Sequence, residues 1–180
     1  AVDGNGAQTG PLAEFDLNGG SETLTVDGVS YTFPVGDKMT VIVGDNTDGS
    51  AMFTTACAYG GPSNTLDDCA NVNAGITNGG LAVGASYEIG NGFTAAVGYA
   101  GPEGGILTEG SMDAYGANLF YDGGNYGASV TYGILEKTTT TENTYTALNG
   151  YYSFDNGISI SAGYEVGDLG GGTALADETE

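Results

Sequence analysis

The sequence predicts an all-β fold, an antiparallel up-and-down transmembrane β-barrel of which this chain forms a portion, on three observations. Large apolar residues alternate with small ones at a period of two over most of the chain from residue 80 onward, the period that sends successive side chains of a strand to opposite faces. The alternation breaks at short glycine-rich turns and resumes in phase, which reads as repeated hairpins. Turn lengths differ in a regular way, with short turns on one side and long loops on the other, as in barrels that cross an outer membrane. With 180 residues the chain is one domain, spanning 1–180, with a long loop at about 45–79.

Composition excludes several classes of function. Two Lys+Arg stand against 23 Asp+Glu, a formal charge of -21, so the basic side chains on which phosphate recognition depends are missing and no nucleic acid is expected as a partner. Histidine is absent from the chain, which removes Ser-His-Asp and Cys-His nucleophilic catalysis and histidine metal sites. No enzyme activity, metal or cofactor is therefore expected. Twelve Tyr, six Phe and 40% hydrophobic residues separate the chain from a disordered acidic polymer. No apolar run approaches the ~20 residues of a membrane helix. The opening Ala1-Val2-Asp3-Gly4-Asn5-Gly6 has neither the basic nor the apolar part of a signal peptide.

Along the chain, Leu24 and Val26 lead into Asp27-Gly28, after which the phase flips to Val29, Tyr31 and Phe33, marking a turn or a bulge. Pro34-Val35-Gly36-Asp37-Lys38 makes a short turn into a strand over Met39–Val43, with proline at a strand end, where it costs no interior ladder bond. Residues 45–79 follow as a loop too long for an incidental connection. They hold Asp45, Asp48, Asp67, Asp68 and both cysteines, and two readings stand: a solvated surface loop, or a loop folded into a lumen. Cys57 and Cys69 lack further soft ligands and the C-x-x-C spacing of a redox pair. They are read as a disulfide closing this loop, which implies an oxidising compartment; two small buried thiols are the alternative.

The repeats begin with Leu81, Val83, Ala85, Tyr87 and Ile89 on one face, against Ala82, Gly84, Ser86 and Glu88. Gly90-Asn91-Gly92 turns the chain into Phe93, Ala95, Val97 and Tyr99. A second unit runs through Tyr115, Ala117, Leu119 and Tyr121, turns at Asp122-Gly123-Gly124-Asn125 and returns as Tyr126, Ala128, Val130, Tyr132 and Ile134. The third passes Leu148, Tyr152 and Phe154, turns at Asp155-Asn156-Gly157 and returns as Ile158, Ile160, Ala162, Tyr164 and Val166. Tyr99, Tyr132 and Tyr164 fall 33 and 32 residues apart in the aligned second strands, the spacing of a repeated hairpin. The links at about 100–110 and 135–143 are longer and polar. About nine strands are expected in all.

One face thus carries Leu, Ile, Val, Phe and Tyr, and the other carries Gly, Ser, Thr, Ala and Asn with occasional Glu. In a sandwich the apolar faces of two sheets pack together. In a membrane barrel the apolar face meets hydrocarbon and the small face lines the interior. Tyrosines at both ends of the strands match two interfacial belts, with half-buried rings and wet hydroxyls. The barrel accordingly places Leu81, Val83, Val97, Leu119, Val130, Ile158 and Ile160 outward, and Ser86, Asn118, Ser129 and Ser161 inward.

The stretch Tyr31-Thr32-Phe33-Pro34-Val35-Gly36-Asp37-Lys38, followed by a strand and a long loop, resembles the porins of cyanobacterial outer membranes, particularly those of marine picocyanobacteria. So does Tyr151-Tyr152-Ser153-Phe154-Asp155-Asn156-Gly157-Ile158-Ser159-Ile160-Ser161-Ala162-Gly163-Tyr164-Glu165-Val166-Gly167-Asp168. The similarity extends over most of residues 20–180. It implies a large trimeric β-barrel related to carbohydrate-type porins, preceded by an S-layer-homology segment and a coiled coil. This sequence has neither of those segments and no carboxy-terminal strand ending in an aromatic, so it resembles an internal portion of such a porin. The resemblance implies the outer membrane as location, its lipid and two further copies as partners, and small hydrophilic solutes as cargo. A phage or another surface ligand is a further candidate partner at the long loops.

The mechanism of a porin is physical, with small wall residues leaving an aqueous bore and charges at a constriction setting selectivity. Without a basic ladder, cations are expected to be favoured. The candidates are Glu88, Asn118 and Glu165 on the wall, and Asp45, Asp48, Asp67 and Asp68 on the loop; for each acidic residue plain solubility is the competing reading. The rival function is a secreted or cell-surface acidic β-protein with a structural, adhesive or calcium-binding role. Asp45-Asn46-Thr47-Asp48-Gly49 lacks the spacing of a calcium loop. A paired-carboxylate glycosidase has no supporting motif.

Overall fold

Alternation of bulky and slim residues gives each segment one face of each kind, and antiparallel pairing keeps like faces together. The computed structural model describes residues 28–58, 69, 71, 74, 80–105, 107–108, 111–138, 141–170 and 177–179. Its strands are β1 (Val29–Val35), β2 (Met39–Asp45), β3 (Leu81–Gly90), β4 (Phe93–Gly101), β5 (Ala114–Asp122), β6 (Tyr126–Thr138), β7 (Thr141–Ser153) and β8 (Ser159–Leu169). They pair in sequence order as an antiparallel meander of eight, and a three-residue β9 (Asp177–Thr179) adds to the outer edge of β8. The sheet is open: among the described residues β1 and β9 remain edges, and no pairing closes a barrel.

The hairpins fall where the turn chemistry predicts them. Asn91 and Gly92 both adopt positive φ, 55° and 85°, which a two-residue turn between twisted strands requires. The Asp122 carboxylate accepts from Gly124 N at 2.7 Å, and the Asn156 side chain accepts from Ile158 N at 3.1 Å, each closing its own turn. These short turns and residues 36–38 share one rim. The polar link expected at about 135–143 is instead strand, with β6 and β7 running on to leave only 139–140 between them. Leu135 pairs with Asn143 and Glu136 with Glu142; threonine-rich sequence favours extended backbone despite its polarity. The long connections on the opposite rim are therefore 46–80 and 102–113. The expected strand and turn around Leu24–Asp27 lie outside the described residues.

Register fixes the two faces. Met39, Tyr87, Ala95, Leu119, Val130, Leu148 and Tyr164 are successive cross-strand partners on the bulky face. Thr40, Ser86, Ala96, Asn118, Thr131, Ala147 and Glu165 form the neighbouring row on the slim face. The bulky face stays open, with Val97 57% and Ile160 55% exposed, so the sheet is not half of a sandwich closed on itself. Toward the short-turn rim that face carries linked rings: Phe93 lies 4.7 Å from Tyr121, Tyr121 5.8 Å from Tyr126, and Tyr152 4.8 Å from Phe154. What core there is sits on the slim face, where Phe53 packs on Ala82, Ala100 and Ala114, and Ala74 on Tyr145 and Ala147.

Candidate functional site

A face of glycine, alanine and serine presents almost no relief, so another backbone can lie flat upon it. The loop after β2 does so. The Gly49 carbonyl occupies the space a Cβ at Gly98 would need, and the Cys69 carbonyl that of a Cβ at Gly163. A glycine where another backbone approaches closely is the position such a residue serves. The glycines that sequence reading assigned to a wide bore are, at these two positions, the seats of the loop.

Polar side chains of the slim face hold the loop's backbone. Thr54 N donates to Asn118 Oδ1 at 3.0 Å, and Asn118 Nδ2 donates to Thr54 O at 3.1 Å and to Thr131 Oγ1 at 2.8 Å. Ala56 N donates to Ser129 Oγ at 2.9 Å and Ala58 N to Ser161 Oγ at 3.0 Å. On the way back, Asn149 Nδ2 donates to Cys69 O, and Ala74 N donates to Glu165 Oε1 at 2.5 Å. The expected Cys57–Cys69 disulfide is present and, with a 6.0 Å Cα separation, ties the outgoing run to the returning one. Asn71 Nδ2 adds a second tie to Thr55 Oγ1 at 2.7 Å.

The structure therefore brings together two of the residues proposed from sequence and leaves others apart. Asn118 and Glu165 share one row beneath the loop, with Glu165 only 2% exposed. Both are engaged with the loop's backbone instead of facing open space. Glu88 lies on the same face near the short-turn rim and is exposed. Asp45 ends β2 and Asp48 begins the loop, both exposed at the opposite rim. Asp67 and Asp68 lie outside the described residues.

Sequence reading missed Thr131 and Asn149 and gave Ser129 and Ser161 no role beyond facing inward. The available signal was the slim face itself, since all four sit at slim-face positions of β6, β7 and β8. It also missed the anchor of the 102–113 connection: the buried Asp113 carboxylate accepts from Tyr99 OH at 2.8 Å and Ser111 Oγ at 3.1 Å, while Leu107 N donates to Tyr99 OH at 3.2 Å. Tyr99 thus ties a loop to the rim as well as ending the bulky face. Among the described residues no group of three or more His, Cys, Asp or Glu is placed to hold a metal ion. Neither the protein-family models nor the curated proteins contain a match to this chain.

Proposed function

We propose that the chain is a portion of an outer-membrane porin, a β-barrel that encloses a water-filled channel for passive diffusion of small hydrophilic solutes and ions. The observation that carries this reading is the inversion of the two faces: the large aliphatics and tyrosines of the bulky face are left open, while the middle of the small polar face is covered by the protein's own loop. A protein dissolved in water is driven to the opposite arrangement, because contiguous exposed apolar surface is costly. Hydrocarbon on the bulky side and water on the slim side remove the conflict. Strands β3 to β8 have 9 to 13 residues, enough for a tilted crossing of about 9–11 residues. Open edges have no place in hydrocarbon, so further strands, from a longer chain or from elsewhere in the assembly, complete the wall.

In this reading the described part of the loop, residues 46–58, 69, 71 and 74, lies inside the barrel and narrows it. The channel favours cations, since the segment contributes 23 carboxylates against two basic side chains. The barrel belongs to a trimer in the outer membrane, as the porin resemblance implies. Fractionation of native cells tests the assignment: a heat-modifiable oligomer in the detergent-extracted outer membrane that gives stepwise conductance in planar bilayers is the expected result. A water-soluble monomer without conductance would reject it.

A further inference from the structure

The geometry points to Asn118, Ser129 and Ser161 as positioning residues that keep the channel open by holding the loop flat against the wall, an inference that builds on the porin reading. Three alternate amides of the loop, at Thr54, Ala56 and Ala58, donate to three side-chain oxygens from three different strands, β5, β6 and β8, at 3.0, 2.9 and 3.0 Å. An extended run turns every second N–H to the same side, and the wall meets each with an acceptor. Residues 54–58 therefore cross the sheet with alternate N–H groups met by side chains of the wall, while Cys57 N turns back to Thr55 O at 2.9 Å within the run. Asn118 supplies both halves of a peptide-like pairing, accepting from Thr54 N and donating to Thr54 O.

The oxygens of this ladder are fixed by the pairing of the strands that carry them, which holds the loop one hydrogen-bond length above the wall. Closer approach is blocked where the loop's carbonyls already fill the places of Cβ atoms at Gly98 and Gly163. Displacement toward the wall is blocked, so a released run lifts away from it, into the bore. Buried Asn118 and Ser129 leave no water to replace a lost acceptor, so weakening the ladder releases the run instead of re-solvating it in place. A freed loop obstructs the passage that the docked loop leaves clear.

The test compares the native protein with the double variant Ser129→Ala, Ser161→Ala, and with Ser161→Thr, which keeps a hydroxyl. Amide hydrogen exchange over residues 54–58 is expected to accelerate roughly tenfold in the double variant, on the scale of one to two lost hydrogen bonds, and to stay near the native rate in Ser161→Thr. In planar bilayers the double variant should show lower mean single-channel conductance and noisier open-channel current. Unchanged exchange would overturn the ladder, whatever the protein does in a bilayer. Faster exchange with unchanged or increased conductance would overturn its role in keeping the bore open. A native protein that opens no channel would sink the porin reading and this role with it, and exchange would then report only a structural tie.

Discussion

Asn118 at the centre of the sheet pairs with the backbone of Thr54, 64 residues away in sequence, through both ends of its carboxamide. A third contact, to Thr131 Oγ1 at 2.8 Å, fixes the carboxamide's orientation. One side chain thus joins β5, β6 and the loop. Truncation to alanine leaves the half-buried Thr54 N–H and carbonyl without these partners, and the expected loss is about 1 kcal/mol of stability. Since the chain has no tryptophan, urea unfolding of the detergent-folded protein followed by circular dichroism is the suitable measurement. An unchanged midpoint for Asn118→Ala would show that the pairing contributes little.

Glycines on the two faces should respond differently to alanine. A Cβ at Gly163 meets the Cys69 carbonyl and forces the loop to shift, whereas one at Gly150 meets only the Gly127 carbonyl, at an ordinary 3.5 Å. Gly163→Ala is expected to cost about 1–3 kcal/mol through overpacking. Gly150→Ala should be neutral or slightly stabilising, because a strand glycine carries an entropic cost of its own. Equal effects of the two substitutions would argue against the docked loop.

A charge on the bulky face separates hydrocarbon from water as its neighbour. Val97, 57% exposed, is the middle residue of β4. If that face meets lipid, Val97→Lys should impair assembly by about 2–4 kcal/mol, the cost of lysine near a bilayer midplane. If it meets water, the substitution should fall within about 0.5 kcal/mol of neutral. Folding yield into lipid vesicles, read from the heat-modifiable band on a gel, distinguishes the two cases.

Selectivity should depend on which carboxylates the permeating ion can reach. Wall charges act over a Debye length of only about 8 Å at physiological salt, so a carboxylate engaged beneath the loop contributes less than an exposed one in a narrow passage. Neutralising Asp45, Asp48, Asp67 and Asp68 to Asn is expected to reduce the cation preference, measured as the zero-current potential across a planar bilayer under a salt gradient. Glu165→Gln keeps an oxygen acceptor for Ala74 N and should leave that potential nearly unchanged. The reverse pattern would return Glu165 to the pore lining and place the loop carboxylates away from the ion path.

The disulfide gives a simple chemical check. Native protein treated with an alkylating reagent without prior reduction should show no label at Cys57 or Cys69, and label at both after reduction and denaturation. Label at either residue before reduction would contradict the bridge that joins the two runs of the loop.

The two faces, the hairpins and their register were legible in the sequence, because a period of two is a local property that needs no knowledge of what lies above the sheet. Val83, Val97, Leu119, Val130, Ile158 and Ile160 are exposed on the bulky face as expected, and Asn118 and Ser129 are buried on the other. Strand over 135–138 and 141–143 was not legible, since polar threonine and glutamate there read as loop, although their backbone continues the ladder of β6 and β7. The disulfide was legible from its two cysteines in one polar loop.

The sequence by itself determined the alternating faces, the sites of the short turns and the confinement of both cysteines to one long connection. Only the tertiary structure decided where that connection goes. Its contacts, Thr54 with Asn118, Ala56 with Ser129 and Ala74 with Glu165, join residues 64 to 91 positions apart. The loop's segments carry no period of their own to register against the sheet. A slim polar face accommodates water and a flat backbone equally well by composition. What separates them is a set of donors at the spacing of an extended run, met by acceptors on neighbouring strands, and that match exists only once the strands are side by side.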